Sequence, residues 1–369
     1  MKKLSIVATS RNDDHGGNLL HRTQLFVSGL IAQCNRHNLD AELILVEWNP
    51  PSDRPRLSEV LQWPIDTGLC DIRIIEVPEA VHRRFQHSEN LPLFQMIAKN
   101  VGIRRARGEF ILATNIDILF SDELMKFISE GYLKPGRTYR IDRYDVYGDI
   151  PLDMPFNQQL EYCRNHILRV NHRKYSRNLI TGQINNIYKS ANLCQYIPTC
   201  WKYWLNERKS KRLDPLWTLK YIKYVVEHWF KLLIEKGPLQ LHTNACGDFT
   251  LMDAGSWHAI KGYWEWEGYS MHLDSHLLFV AHHAGVPETV LNEPMRIYHI
   301  EHGNGSGYTP EGKKILYQRI ENAGIPILDS NLVFNWAIQM RREHRAIIFN
   351  NENWGLIDED LPETRIGKE

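Results

Sequence analysis

Short apolar runs alternate with longer amphipathic segments along the first third of the chain. The longer segments, residues 18–34 and 93–107, carry apolar residues at helical spacing and predict two helices. The short runs predict buried strands at residues 4–9, 42–47, 72–77 and 110–113. Strands that alternate with helices of this length predict an α/β domain with a parallel sheet and right-handed crossovers.

Polar side chains follow three of these predicted strands, at the point where each strand ends. They lie at residues 9–14, 47–49 and 115–117. The carboxyl ends of parallel strands meet at one edge of a sheet, and ligands bind beyond that edge. We therefore expect the three polar clusters to line one crevice.

The middle of the chain, residues 154–241, has a different composition, rich in aromatic and basic residues. Between residues 201 and 237 there are nine lysines and arginines and four acidic residues, and residues 217–234 have helical apolar spacing. These features predict a helical insertion that packs on the main domain. An alternative is a helix that lies on a membrane surface and meets a lipid-linked acceptor.

These patterns divide the chain into four parts. An α/β half is expected at residues 1–153 and the helical, aromatic and basic insertion at 154–241. A second half with mixed strands and helices follows at 242–330, and a C-terminal helix and tail at 331–369.

Composition excludes several classes of function. The 44 basic and 44 acidic residues balance, which argues against a nucleic-acid partner. Six scattered cysteines without a CxxC pair indicate neither a zinc knuckle nor a disulfide framework. No run of eighteen apolar residues occurs, so we expect a cytoplasmic protein, with peripheral contact at the inner membrane face through residues 201–237 as a further expectation.

Asp117, at the end of the fourth predicted strand, is the leading candidate for chemistry in the crevice. A strand-end aspartate often caps a helix, but Asp122 follows closely and is expected to cap the next helix. A carboxylate at this edge is suited to a divalent cation, which stabilises charge on phosphate oxygens as a Lewis acid.

The region around Asp117 resembles the GT-A glycosyltransferases, most closely their large inverting family. The family motifs A-R-N-x-G, G-E-[FY]-[IL] and D-x-D correspond to residues 98–102, 108–111 and 115–117. The resemblance implies a GT-A fold, here with the inserted helical lobe. It also implies nucleotide-sugar contacts at Thr9, Arg11, Asp13, Glu47, Lys99, Asn100, Asn115 and Asp117. Because the first aspartate of D-x-D is Asn115 here, the expected metal ligand is Asp117.

The same resemblance implies a general base in the acceptor half. In inverting members an acidic residue that opens a helix removes the proton from the acceptor hydroxyl. Asp274 fits that place, with Glu267 and Glu265 as alternatives. An ordinary helix cap is the other interpretation of Asp274, and a retaining mechanism needs no such base.

Two histidines downstream match the position where a histidine completes the metal shell in many GT-A enzymes. They are His299 and His302, and an imidazole ligand favours Mn²⁺ over Mg²⁺. The following glycines at residues 303–307 are consistent with a lid over the donor or with an ordinary surface turn.

The resulting prediction is a metal-dependent glycosyltransferase of polysaccharide biosynthesis. It would move a sugar from a nucleotide diphosphate sugar, UDP by preference, to a hydroxyl of a glycan or lipid-linked acceptor, with inversion. A retaining enzyme and a non-catalytic glycan-binding relative are the alternatives. A nucleotidyltransferase is disfavoured because residues 10–13 lack the glycine-rich loop that usually follows its first strand.

Overall fold

Two β-sheets form the framework of the protein in a computed structural model that describes residues 2–187, 215–234, 238–302 and 312–367. In chain order the strands are β1 (Lys2–Ser10), β2 (Ala41–Trp48), β3 (Cys70–Val77), β4 (Gly108–Thr114), β5 (Ile118–Phe120), β6 (Thr138–Ile141), β7 (Arg143–Val146), β8 (Ile167–Asn171), β9 (Tyr175–Asn178), β10 (Ile184–Asn186), β11 (Phe249–Asp253), β12 (Glu288–Leu291), β13 (Ile297–Ile300) and β14 (Glu363–Ile366).

Helices connect and cover these strands. In chain order they are α1 (Leu19–Arg36), α2 (Leu57–Val60), α3 (Glu79–His82), α4 (Gln95–Arg104), α5 (Asp122–Ser129), α6 (Phe156–Asn165), α7 (Pro215–Ile234), α8 (Ala254–Ala259), α9 (Leu273–His283), α10 (Lys313–Asn322) and α11 (Ser330–Glu343).

The larger sheet has eight strands in the order β12-β6-β11-β4-β1-β2-β3-β14. Its centre is parallel, because β1 pairs in parallel with both β2 and β4, and β2 pairs in parallel with β3. Antiparallel strands β11 and β14 flank this centre. The predicted α/β class, with a mostly parallel central sheet, is confirmed.

The central strands read as continuous apolar runs because both of their faces are buried. Along β1, Ile6 packs with α1 and α5 in one core, and the next residue, Val7, packs with α4 and α9 in the other. All four buried strands expected in the first third of the chain are therefore present.

The second sheet has six strands in the order β10-β9-β8-β7-β13-β5, with α6 packed against it. This sheet corrects the expectation of a helical insertion at 154–241, because residues 167–186 form β8, β9 and β10. Buried Arg169 and Asn171 lie within β8, and both donate hydrogen bonds to Asp145 on β7. These polar residues interrupt the apolar run that would have predicted a buried strand.

The predicted helix in the insertion is present as α7, whereas residues 188–214 and 235–237 lie outside the described residues. No helix in the described ranges has both the length and the apolar character needed to cross a bilayer.

The cap of α5 also differs from the expectation. Ser121 is the N-cap, and its hydroxyl accepts a hydrogen bond from the Leu124 amide. Asp122 lies in the first helical turn and instead pairs with Arg36, the last residue of α1, and with His37, the C-cap of α1. Asp117 is still not needed as a cap, since the serine takes that role.

Candidate functional site

A cleft of about 790 Å³ lies beyond the carboxyl ends of β1 and β4, where the two sheets meet. β4 ends at Thr114, and β5 of the second sheet begins at Ile118, so Asp117 lies at the junction. Eight of the predicted residues line this cleft: Thr9, Arg11, Asp13, Asn115, Asp117, Asp274, His299 and His302.

Strand register explains why Asp117 and His299 are neighbours although 182 residues separate them. β13 pairs antiparallel with β5, which places His299 opposite Ile118, and the Ile300 amide donates to the Asp117 carbonyl oxygen at 2.9 Å. On its other side β13 pairs in parallel with β7, which places His299 beside Asp145. Partners in register share one face of a sheet, so the side chains of His299 and Asp145 meet. Asp117 directly precedes β5, and its Oδ2 lies 3.8 Å from His299 Nε2.

The carboxylate of Asp117 is surrounded by nitrogen atoms. Its Oδ2 lies 3.2 Å from His302 Nε2, 3.8 Å from His299 Nε2 and 3.0 Å from Arg22 Nη1. Its Oδ1 is buried and has no hydrogen-bond partner among the residues that the structure describes. Asp117 therefore has one oxygen engaged and one left for a ligand.

Electrostatics keep this carboxylate ionised. Burial alone would raise the pKa of Asp117, but His299, His302 and Arg22 outweigh burial and hold it well below its usual value. Burial and Arg143 act to lower the pKa of His299, yet Asp117, Asp145 and Glu301 raise it to about 10. The basic groups Arg22, His299 and His302 and the acidic group Asp117 thus stabilise one another in their charged forms.

A divalent cation fits the residues that converge here. Asp117, His299 and His302 each offer one ligand atom, and these atoms lie within 4.8 Å of one another. The unpartnered Oδ1 of Asp117 is a ready ligand, and a donor set of one carboxylate and two imidazoles suits Mn²⁺ better than the oxygen-preferring Mg²⁺.

Asn115, where the family motif has its first aspartate, occupies a position that requires an amide. Its Nδ2 donates to Asp248 Oδ1 at 2.5 Å, and its Oδ1 accepts from Gln95 Nε2 at 3.0 Å. An aspartate here would set a second negative charge against the Asp248 carboxylate. Asn115 therefore holds Gln95 and Asp248 together in the cleft lining.

The loop after β1 contributes a paired cation and anion to the cleft. Arg11 Nη1 lies 2.9 Å from Asp13 Oδ2, and Arg11 Nε donates to the Asn49 carbonyl oxygen at 2.6 Å. Thr9 lines the same wall, and its hydroxyl donates to the Val46 carbonyl oxygen at 3.1 Å.

Three residues expected at the nucleotide sugar lie behind the cleft wall instead. Glu47 accepts from the Leu57 amide at the start of α2, and burial raises its pKa to about 7. Lys99 is fully buried and donates to the Gly247 carbonyl oxygen at 2.7 Å. Asn100 ties α4 to the Tyr263 backbone through both its amide nitrogen and its oxygen.

Of the three candidate bases, Asp274 alone lines the cleft. It is not the N-cap of α9, which is His272, and its Oδ1 accepts from the Ser275 amide at 2.8 Å. Glu265 is occupied by Asn100 Nδ2 and the Gly355 amide, and Glu267 accepts from the Gln86 amide. The hydrogen bonds of Glu265 and Glu267 thus hold together segments that lie far apart in the sequence.

Several residues of the site were not predicted. Arg22 and Arg143 each contact a buried carboxylate, of Asp117 and Asp248 respectively, and Asp145 lies behind His299. Arg22 had a signal in the sequence, because an arginine that continues the spacing of Leu19 on an apolar helix face must find a buried partner. The predicted lid at residues 303–307 lies outside the described residues.

Comparisons with known proteins found similarity to solved structures. No protein-family model matches the chain, and no curated protein matches it in sequence. It is similar to the catalytic domain of Drosophila β1,4-galactosyltransferase 7 in complex with xylobiose (10% identity, TM-score 0.35, 86% of this chain and 81% of that one). It is also similar to S. aureus TarS 1–349 in complex with UDP-GlcNAc (10% identity, TM-score 0.41, 93% of this chain and 72% of that one).

The chain is similar to GT-A glycosyltransferases of known structure. It covers 43% of the longer S. aureus TarS chain that it also matches, at 11% identity and a TM-score of 0.40.

Proposed function

We propose that this chain is a metal-dependent glycosyltransferase. It takes a sugar from a nucleotide diphosphate sugar, UDP-linked by preference, and transfers it with inversion to a hydroxyl of a glycan or lipid-linked acceptor in polysaccharide biosynthesis. The observation that carries the proposal is the cluster of Asp117, His299 and His302 in a cleft that Asp274 also lines.

Each cleft residue has a role that its contacts support. Asp117, His299 and His302 hold the divalent cation, and Arg22 fixes the Asp117 carboxylate from behind. When bound, the cation supplies a Lewis acid that neutralises the charge of the departing diphosphate. Arg11 and Asn115 line the same cleft as Asp117 and are the proposed contacts of the nucleotide.

Asp274 is the proposed general base. A base that abstracts the acceptor proton has to be an unprotonated group within reach of the cleft. Asp274 has one oxygen held by a backbone amide and belongs to the cleft lining, and it lies close enough to act electrostatically on Lys99, as Asp117 also does. Inversion is proposed on this placement.

A lipid-linked acceptor would bring the protein to a membrane surface, and α7 has the features for that contact. Leu216, Leu219, Ile222 and Val226 are 48–65% exposed on one side of the helix. Exposed apolar residues on a helix within a basic segment are typical of binding in the interface of an anionic bilayer. We therefore propose that the protein binds peripherally to the inner face of the membrane through α7.

Co-sedimentation with vesicles tests this placement. Wild-type protein should bind vesicles that contain anionic phosphatidylglycerol and not vesicles of phosphatidylcholine alone. Leu219→Glu with Ile222→Glu should abolish binding, whereas Ile65→Glu, at an apolar residue that is 97% exposed elsewhere, should not. Equal binding of both variants would contradict a role for α7.

A screen of nucleotide sugars for metal-dependent hydrolysis tests the activity itself. A glycosyltransferase without acceptor is expected to transfer slowly to water, so UDP should form in the presence of MnCl₂ and not with EDTA. Early ¹H NMR spectra of the released sugar report whether the anomeric configuration is inverted. Absence of turnover with every nucleotide sugar, and of UDP binding in MnCl₂, would overturn the proposal.

A further inference from the structure

A second group of metal-type ligands lies directly behind the first and shares His299 with it. Asp145 Oδ1 lies 3.3 Å from His299 Nδ1, and Glu301 Oε2 lies 3.5 Å from the same nitrogen. Within the described ranges, this triplet also brings three ligand atoms within 4.8 Å of one another. It could therefore hold a second cation or act on His299.

The charges around Asp145 argue against a second cation. Arg143 Nε lies 2.8 Å from Asp145 Oδ1, and Arg169 Nη1 lies 2.7 Å from Asp145 Oδ2. Arg169 also lies 3.8 Å from Glu301. A divalent ion between these carboxylates would have two guanidinium groups as immediate neighbours, and like charges in a buried site repel strongly.

The orientation of the imidazole favours the other role. The Nε2 of His299 faces Asp117, whereas its Nδ1 faces both carboxylates of the second group. A histidine that ligates a metal through one nitrogen commonly donates its other N–H to a carboxylate, which fixes the ring and its tautomer. His299 Nδ1 and Glu301 Oε2 are both buried without a hydrogen bond among the described residues, so a small rotation pairs them.

Asp145 is itself held rigidly, as an orienting group must be. Its Oδ2 accepts from Arg169 Nη1 and from Asn171 Nδ2, at 2.7 and 3.1 Å. Asn171 in turn accepts from the Ser176 hydroxyl, which accepts from Asn244. A chain of hydrogen bonds thus runs from the cleft wall to Asp145 behind His299, and it restricts rotation of the Asp145 carboxylate.

We propose that Asp145, assisted by Glu301, is a positioning residue that holds His299 with Nε2 directed at the cation beside Asp117. The inference rests on the cation of the proposed function and is independent of which sugar is transferred. It predicts one cation in the cleft and a dependence of its affinity on a carboxylate that never touches it.

Titration of the purified protein with MnCl₂, followed by the EPR signal of free Mn²⁺, measures affinity and stoichiometry without any substrate. Wild type should bind one ion, and Asp145→Asn should bind it 10- to 100-fold more weakly. In a His299→Ala background the same substitution should have no further effect, because the group that it orients is gone. A purely structural role for Asp145 would weaken binding equally in both backgrounds.

Asp142→Asn is the matched control, since Asp142 also pairs with two histidines, His172 and His242, outside the cleft lining. It should leave Mn²⁺ affinity unchanged. Should Asp145→Asn fail to fold, Glu301→Gln removes the second carboxylate at a partly exposed site and should weaken binding at least threefold. The ligand-field spectrum of bound Co²⁺ should change in either variant and not in the control.

Three results would overturn the inference: two ions bound per chain, unchanged affinity in Asp145→Asn and Glu301→Gln, or equal losses with and without His299. Wild-type protein that binds Mn²⁺ but turns over no nucleotide sugar would overturn the proposed function and leave this inference standing. Turnover of a nucleotide sugar, together with a Mn²⁺ affinity that does not change in Asp145→Asn, would overturn this inference and leave the proposed function standing.

Discussion

Replacing Asp117 by asparagine keeps the volume of the side chain and removes the charge that Arg22, His299 and His302 face. Arg22 and Asp117 are both buried, with side chains 4% and 9% exposed and a 3.0 Å contact. Removing one partner of a buried ion pair costs about 3 to 5 kcal/mol. Arg22 also donates to the carbonyl oxygens of His15 and Gly17, so we expect a cost near the lower end, about 3 kcal/mol.

Thermal unfolding with and without MnCl₂ separates the loss of stability from the loss of the metal site. For a chain of this length about 1 kcal/mol corresponds to about 1.3 °C, so Asp117→Asn should lower Tm by about 4 °C in EDTA. MnCl₂ at 100 times its Kd should stabilise wild type by about 2.7 kcal/mol, which is about 3.5 °C. The variant should show no such rise.

Asp253→Asn provides the comparison for this experiment. Asp253 caps α8, where it accepts from Ser256, and it also accepts from the Gly136 amide, so its loss costs stability at a site remote from the cleft lining. That variant should melt earlier and keep the full rise with MnCl₂. An Asp117→Asn protein that keeps the wild-type rise would refute the assignment of Asp117 as a ligand.

Three further predictions test the other assignments. Asp274→Asn should lower kcat about 10²- to 10⁴-fold, with little change in donor KM or Mn²⁺ affinity. If steady-state kinetics give a kcat within threefold of wild type, Asp274 is not the general base. Asn100→Ala should lower the unfolding free energy by about 1–3 kcal/mol, because Tyr263 and Glu265 lose a buried partner, while calorimetry shows unchanged UDP affinity. Burial lowers the pKa of Lys99 from 10.5 to about 8. Between pH 8 and 10.5 the folded protein therefore binds fewer protons than the unfolded chain, and its unfolding free energy rises with pH. Denaturant titrations across this pH range should show the rise in wild type and not in Lys99→Met.

The parallel centre of the large sheet was predictable from sequence because burial on both faces leaves a direct mark. Ile6 and Val7 point into opposite cores, and both are fully buried, so β1 had to be apolar throughout. The same holds for β2. In these strands the apolar character of the sequence matches the burial of both faces.

The second sheet was not predictable from an apolar pattern, because buried polar residues in it form hydrogen bonds and ion pairs with one another across strands. Asp145 and Arg169 are register partners on β7 and β8, and each would be typical of a loop if considered alone. Pairing between strands 24 residues apart is not encoded in either strand. The predicted helical insertion was wrong at these residues for that reason.

The candidate site was partly predictable for a similar reason. Asp117 stands out because it ends an apolar strand, and His299 because it lies in a motif position, so both could be named in advance. Asp145 and Arg22 depend on the register of β13 and on the packing of α1. Lys99 and Asn100 match a family motif, yet their side chains bond to the backbone of the acceptor half, which sequence spacing cannot distinguish from a ligand contact.

The position of the cation bound together with the nucleotide tests the role of Asp117, His299 and His302 most directly. Anomalous diffraction at the manganese edge, from crystals grown with UDP and MnCl₂, measures that position. We predict one manganese peak coordinated by Asp117, His299 and His302, with the diphosphate of UDP beside it in the cleft. A peak elsewhere, or UDP bound away from these three side chains, would contradict this prediction.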